Sequence, residues 1–398
     1  MNRRLSERAL ILLLSVIVTI GSVATNIYIP ALPAVREHFG ATVGEVQATF
    51  SIALLTFAVG MLFWGPYADR YGRRQALFGG IGLMAAGSLV CLSAESLGAV
   101  IVGRAVLAFG TATGITVTRT IVSDLFAHRM ARALAQLTVV AVIASASAPV
   151  VGGYLTTWLG WRSVFAAQIV TAGAVAWLTW RYLPETRPTA VTPPDVREMA
   201  RVAGGLLTRP LYLSCVLQSS AAYSMFVVFI SLAPYVMVSA LGRSATEYGL
   251  YYPLISVGYV LGNWSIGRFS VYGQHRLINF GVGLQLMAAV VTLAFVAVGL
   301  EHPLWIFVPM GVMYFGQGLF MPHLTAIAVN LAPSHATGVG SSALGFLNQL
   351  VSAVCVQAMG AAGGDSAVPM LAFVAGAALF QLAVLRLSPR METAARSS

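Results

Sequence analysis

Residues 65–77 read GPYADRYGRRQAL, one acid and three arginines set between apolar runs at 45–66 and 77–96. That density of charge is out of place in a chain that is 58% hydrophobic and only 9% charged. A water-soluble core of this size needs far more charged surface, so the composition is that of a polytopic membrane protein. Each flanking run has the length of about 20 residues that crosses a bilayer. The stretch therefore reads as a polar turn between two closely packed membrane helices. Gly65, Pro66 and Gly72 permit the turn, and Asp69 and Arg73, spaced i,i+4, are placed to pair.

Working outward from this turn, apolar runs fall at 9–32, 45–66, 77–96, 98–122, 135–158 and 163–183. Six more fall at 211–238, 247–269, 277–299, 303–327, 336–360 and 367–388. Backbone groups in lipid must be satisfied within the chain, which for runs of this length leaves the α-helix. The expectation is an all-α membrane protein of twelve spans. The first span is too long for a cleaved signal peptide, and no clean small-x-small site closes it.

The formal charge of +10 follows topology. Arg3, Arg4, Arg8, Arg70, Arg73, Arg74, Arg129, Arg132, Arg268, Arg276 and the arginines from Arg181 to Arg209 fall on one side with the chain ends. Only Arg36, Arg162 and Arg243 fall on the other. The positive-inside rule then places both termini in the cytoplasm, and nothing points to nucleic acid. Cys91, Cys215 and Cys355 lie in three different spans without ligand spacing, so neither a metal nor a redox pair is expected.

The longest polar stretch, 184–209, holds four prolines and divides the chain. It reads as a cytoplasmic linker with a short amphipathic helix, capped through Thr192 and Asp195. On either side lie six-span halves, 1–183 and 210–398. They look like degenerate copies. YIPALP ends span 1 and LAPYVM lies in span 7; GPYADRYGRR follows span 2 and GRFSVYGQHR follows span 8; Phe109-Gly110 and Phe315-Gly316 mark spans 4 and 10. A repeated six-helix unit is the layout of transporters with a midplane site.

Residues 25–33, TNIYIPALP, pose a local question: an amide at Asn26 ahead of two prolines, with no charge. Arg104 in span 4 lies at the same depth, roughly 9 Å below the outer face at 1.5 Å per residue. A mid-membrane arginine costs on the order of 2.5–3.5 kcal/mol, so it is expected to face a cavity and find a partner, Asn26 among the candidates. None of the thirteen acids lies in the middle third of a span. Ala144, Ala148 and Gly152 in span 5, and Gly258 and Gly262 in span 8, form small-residue faces. If those spans pack across the halves, Pro149, Gly152 and Gly153 would lie at a pivot.

Several of these strings resemble one family. GPYADRYGRRQAL resembles the signature of the major facilitator superfamily, and IVGRAVLAFG (101–110) its fourth-helix arginine motif. SASAPVVGGYL (145–155) is similar to the fifth-helix motif of its drug–proton antiporters. TNIYIPALP, GWRSVF (160–165) and LPET (183–186) look like the Bcr/CflA branch, which includes chloramphenicol exporters. The resemblance implies two pseudo-symmetric six-helix halves in a bacterial inner membrane, and proton-coupled efflux of small-molecule drugs. A monomer suffices for that architecture, and no cofactor is implied. The family pattern usually carries an aspartate at the Asn26 position; an amide there cannot titrate.

Proton-coupling candidates are then His323, after Pro322 in span 10, and Asp124, at the cytoplasmic end of span 4. With Arg104, Arg119 and no midplane acid, the expected substrates are neutral or anionic amphiphiles. By analogy spans 1, 4, 7 and 10 line the cavity, with Asn26, Tyr28, Arg104, Gln218, Tyr223, Phe226, Gln317 and His323, joined by Asn348 from span 11. Gly65, Asp69, Arg70, Gly72, Arg73, Arg74 and Arg119 belong to a cytoplasmic gate, in which Asp69 could face the start of span 11.

Other classes fare worse. The chain has no lysine, and so no P-loop. No HExxH or paired nucleophile and base is present, which argues against a membrane enzyme. Two alternatives to drug export stay open: export of a self-made metabolite such as a siderophore or sugar, and a sensor or assembly partner that has lost transport.

Overall fold

The computed structural model describes residues 6–186, 196–299, 302–333, 337–363 and 366–387. They form helices and connecting turns, in two units that are described separately. The first comprises Met1–Pro194 with Ser244–Gly249, and the second Asp195–Arg243 with Leu250–Ser398.

In the first unit the helices are α1 Glu7–Asn26, α2 Leu32–Phe39, α3 Val43–Tyr71, α4 Arg73–Leu92, α5 Leu97–Leu125, α6 Met130–Leu159 and α7 Ser163–Tyr182. Their starts are set by local chemistry. Ser6 caps α1 through the Ala9 N–H, Ser96 caps α5 through the Ala99 N–H, and Thr42 with Glu45 makes a capping box on α3. α4 and α5 cross on glycines seven apart in each helix: Gly80 faces Gly110 and Gly87 faces Gly103. A Cβ on Gly80 would stand 2.6 Å from the Gly110 carbonyl oxygen, so only hydrogen lets these backbones approach.

The second unit holds α8 Val196–Leu207, α9 Pro210–Tyr235, most of α10 Ala245–Phe269, α11 Gln274–Ala297, α12 Leu304–Asn330, α13 Thr337–Ala361 and α14 Ala367–Leu387. Its buried cluster joins Tyr212 and Cys215 of α9, Ile278 and Val282 of α11, Phe320 and Leu324 of α12 and Leu344 of α13. α8 packs on α9 and α13. The expected capping pair, Thr192 and Asp195, lies outside the described residues. Gly281 and Gly316 meet as Gly80 and Gly110 do, each at 2.6 Å from the other's carbonyl oxygen if given a Cβ. The two Phe-Gly pairs therefore occupy equivalent places in the two units.

Eleven helices among the described residues are long and apolar enough to cross a membrane. The twelfth, α10, has 25 residues, but Tyr248, Tyr251, Tyr252, Asn263 and Trp264 dilute its apolar run. Several expected boundaries were too tight. α3 and α5 each run 29 residues, and α4 begins at Arg73 rather than 77, because helices continue into polar sequence that hydropathy does not see. The turn after span 2 is also narrower than its composition implied. Gly65 and Pro66 lie inside α3, and Gly72 alone, at φ 113°, makes the corner.

Gly258 and Gly262 form a close-packing face, as their spacing implies. Both lie on the backbone of α12: a Cβ on either would strike the carbonyl of Gly311 or of Phe315. This small-residue face is used within the second unit.

Candidate functional site

The first unit is organised around a break in its first membrane crossing. α1 stops at Asn26, a 3₁₀ turn covers Ile29–Ala31, and α2 resumes at Leu32. Pro30 has no N–H for the Asn26 carbonyl and Pro33 none for that of Ile29. The last four carbonyls of a helix need partners from elsewhere, and in a membrane interior water is not at hand. The Val23 carbonyl takes the Ile27 N–H at 2.9 Å. The Ala24 carbonyl accepts from Gln168 Nε2 of α7 at 3.0 Å and from Arg104 Nη1 of α5 at 3.4 Å.

Arg104 is fully buried, and its guanidinium lies 4.3 Å from the centre of the Tyr28 ring. Tyr28 is equally buried and shares a hydrogen bond of 2.9 Å with Thr49. Both side chains expected on a cavity wall are thus interior groups. The ring face and a helix-end carbonyl replace part of the hydration that the guanidinium loses on burial. Gln168 was missed. It is an amide in an otherwise apolar span, the criterion that singled out Asn26, and Ser88 donates to its Oε1 at 3.3 Å. Gln168→Leu leaves the Ala24 carbonyl short of one donor and should lower stability by about 1–3 kcal/mol. Thermal melting of the purified variant checks this, and an unchanged midpoint would count against the bond.

Asn26 points away from Arg104. Residues 24 and 28 share a face one helical turn apart, and residue 26 falls on the opposite side. Its Nδ2 donates to the Ser145 carbonyl of α6 at 3.4 Å. Ser145 lies four residues before Pro149, so its carbonyl is the one that Pro149 leaves without a backbone donor. The amide thus supplies a hydrogen to a carbonyl orphaned by proline. An ionised aspartate could not. α6 comes this close because Gly152 lies on the Ile27 carbonyl, while Gly153 lies on Ala245 and Thr246 of the Ser244–Gly249 segment. Thr246 Oγ1 donates to Thr157 Oγ1 at 2.9 Å.

At the far end of α3 several of the residues expected to form a gate come together. Arg73, 3% exposed, pairs with Asp69, and its Nε donates to Asp124 at 3.3 Å. The LPET stretch completes the group. Glu185 accepts the N–H of Arg73 at 2.9 Å and of Arg74 at 3.1 Å, so its carboxylate caps α4, where the helix dipole favours an anion. Gly72 must be glycine here because its φ of 113° is a conformation that residues with a Cβ rarely adopt, and its bareness leaves room for the Glu185 carboxylate. Arg74 also donates to the Trp180 carbonyl at 2.7 Å. Arg70 is exposed, over the Tyr71 ring at 5.3 Å, and Arg119 is exposed with no ion pair among the described residues. Asp124 belongs to this ion cluster, which also receives Thr186 Oγ1 at 3.5 Å.

The second unit holds the remaining predicted residues. Gln218 is fully buried and donates to Ser214 at 3.1 Å, and its backbone carbonyl accepts Gln381 Nε2 of α14 at 2.9 Å. This repeats the Gln168–Ala24 bond, each unit's last helix holding its first membrane-spanning one. Asn348 accepts from Ser219 at 3.0 Å and Ser220 at 2.8 Å. Tyr223 and Phe226, half-buried, continue through Tyr314, which sequence reasoning missed; the Phe226–Tyr314 centroids are 5.3 Å apart. Gln317 Oε1, Tyr314 Oη and His323 Nε2 on α12, and Gln218 Oε1, are buried without hydrogen-bond partners among the described residues.

Residues 14–355 match the Major Facilitator Superfamily. The chain belongs to this family. It is 27% identical over 350 residues to multidrug resistance protein D of Escherichia coli, covering 87% of this chain and 86% of that one. It is 29% identical over 345 residues to a chloramphenicol resistance protein of Pseudomonas aeruginosa, covering 84% and 77%. A bicyclomycin resistance protein homolog of Haemophilus influenzae is 23% identical, covering 95% of each. These relatives match the Bcr/CflA type of drug-efflux protein. Among solved structures, a peptide transporter in complex with sulfate superimposes with a TM-score of 0.77 at 16% identity, covering 96% of this chain and 94% of that one. A D-xylose–proton symporter gives 0.70, also at 16% identity, covering 94% and 97%. Those structures show the shared fold. This major facilitator protein is a multi-pass membrane transporter, not an enzyme.

Proposed function

We propose that this transporter exports small amphiphilic drugs, phenicol-like or otherwise neutral or anionic, by alternating access with protons as the counter-solute. The observation that carries the reading is that relatives aligned over most of both chains bear drug-resistance names. The uncharged set Tyr223, Phe226, Gln317, His323 and Asn348 suits an apolar solute with a few polar groups. Arg119, exposed and unpaired among the described residues, favours an anion over a cation, so ethidium should be a poor substrate. The termini are taken to be cytoplasmic, the protomer to act alone, and the Arg73 cluster to open and close with each cycle.

Asn26 occupies the place of a protonated aspartate. Its hydrogen bond to the Ser145 carbonyl is one a carboxyl makes only while it holds a proton. In this reading the contact between α1 and α6 is held permanently in its protonated form, and any coupling runs through the His323 imidazole, a side chain able to take up and release a proton. The test uses purified protein in liposomes, with a pH dye inside and a phenicol outside. Asn26→Asp is expected to raise drug-driven proton movement about tenfold or more over the unaltered chain, the equivalent of 1.4 kcal/mol. His323→Gln should abolish what the unaltered chain shows. Equal proton movement in all three proteins would sink the assignment of both residues. Efficient ethidium export would overturn the substrate class.

A further inference from the structure

We propose that Arg104 holds a small monovalent anion, chloride in the cell, inside the first unit. The proposal concerns a group no solute-sized molecule reaches, and it stands whichever drug or metabolite is carried.

Arg104 is 0% exposed and permanently charged. One donor, Nη1, goes to the Ala24 carbonyl at 3.4 Å, and one face of the guanidinium lies on the Tyr28 ring. Nε and Nη2 are buried and have no hydrogen-bond partner among the described residues. Those two nitrogens form the side edge of the guanidinium, whose parallel N–H groups grip an anion at two points. The unpaired donors are thus the matched pair that defines an anion fork.

No described acid of the unit answers this charge. Asp69 and Asp124 are committed to Arg73, Glu185 to the start of α4, Glu7 to Arg129, Glu45 to Thr42 and Glu247 to Ser244. Glu37 and Glu95 are exposed. The hydroxyls and amides around the site are spoken for as well. Tyr28 Oη is bonded to Thr49, and Gln168 spans Ser88 and the Ala24 carbonyl. A lone buried cation is far costlier than a paired one. Burial excludes a large partner, and the described residues supply no internal carboxylate, which leaves a small monovalent anion as the compensating charge.

The neighbouring glutamine makes the idea testable. Gln168 Nε2 and Arg104 Nη1 share one acceptor, at 3.0 and 3.4 Å, so Gln168→Glu puts a carboxylate beside the guanidinium. The full chain, purified in detergent, would be assayed for binding of radioactive chloride and melted in chloride and in gluconate at equal ionic strength. The unaltered protein should bind chloride saturably, about one per chain, and melt several degrees higher in chloride, since a ligand of the folded state raises its midpoint. Arg104→Gln and Gln168→Glu should each weaken chloride binding about tenfold or more, 1.4 kcal/mol in affinity, and remove the chloride-dependent shift. Arg268→Gln, at an exposed arginine of α10, should keep both. If Arg104→Gln does not fold, Gln168→Glu decides. Absence of saturable binding to the unaltered protein, its survival in a folded Gln168→Glu, or its loss in Arg268→Gln alone would each overturn the site.

Discussion

Arg73→Ala is expected to destabilise the first unit by about 3–5 kcal/mol, the cost of removing one partner from a buried ion pair. Arg73 is 3% exposed, against 20% for Asp69 and 16% for Asp124, so the cluster is shielded on the arginine's side and only partly screened on the others. Removing the cation leaves two carboxylates close together near a third, Glu185, which remains on the helix start. The loss should therefore exceed that of a surface pair, typically 0.2–1 kcal/mol. Asp69→Asn or Asp124→Asn alone should cost less, because each leaves Arg73 one anionic partner. Thermal melting in detergent measures the order, and drug transport in liposomes should fall with it. Arg73→Ala melting with the parent would show that these contacts contribute nothing net.

Gly152→Val should be nearly as damaging, for a steric reason. A Cβ at position 152 would sit on the Ile27 carbonyl oxygen and 2.9 Å from its carbon. The obstacle is backbone at the break in the first crossing, so no side-chain rotation relieves it. Overpacking of this kind costs typically 1–3 kcal/mol, occasionally more. Here it would also part Asn26 from the Ser145 carbonyl, losing the donor that compensates for Pro149. Gly82→Ala and Gly173→Ala are the controls. Neither Cβ would meet anything within 4 Å, so both should be neutral or slightly stabilising. Thermal melting and transport assays on the four proteins separate the cases. If Gly152→Val folds and transports like Gly82→Ala, α1 and α6 are not locked at this point.

The Asn26 side chain shows how far the sequence could be read and where it stopped. An amide in an apolar run marks a buried polar contact, and two following prolines mark a helix break; both are local statements and both hold. The partner was another matter. Depth along the helix put Arg104 and Asn26 on one level, but the helical screw turns residue 26 away from the face shared by Ala24 and Tyr28. Gln168 escaped notice because its partner is a backbone carbonyl, which every residue has and no residue name advertises.

The sequence by itself determined that this is a helical membrane protein of repeated halves, where its apolar runs lie, and that Asp69 and Arg73 would pair. Periodicity, composition and i,i+4 spacing act over a few residues and are written in order along the chain. The tertiary structure decided the rest. It placed Asp124 and Glu185 with Arg73, 51 and 112 positions away, gave Pro149's orphaned carbonyl to Asn26, and closed Arg104 into the interior. Each outcome depends on which helix lies alongside which and at what rotation. Interhelical packing sets that, because a buried donor or charge must take whatever partner the neighbouring helix brings within reach.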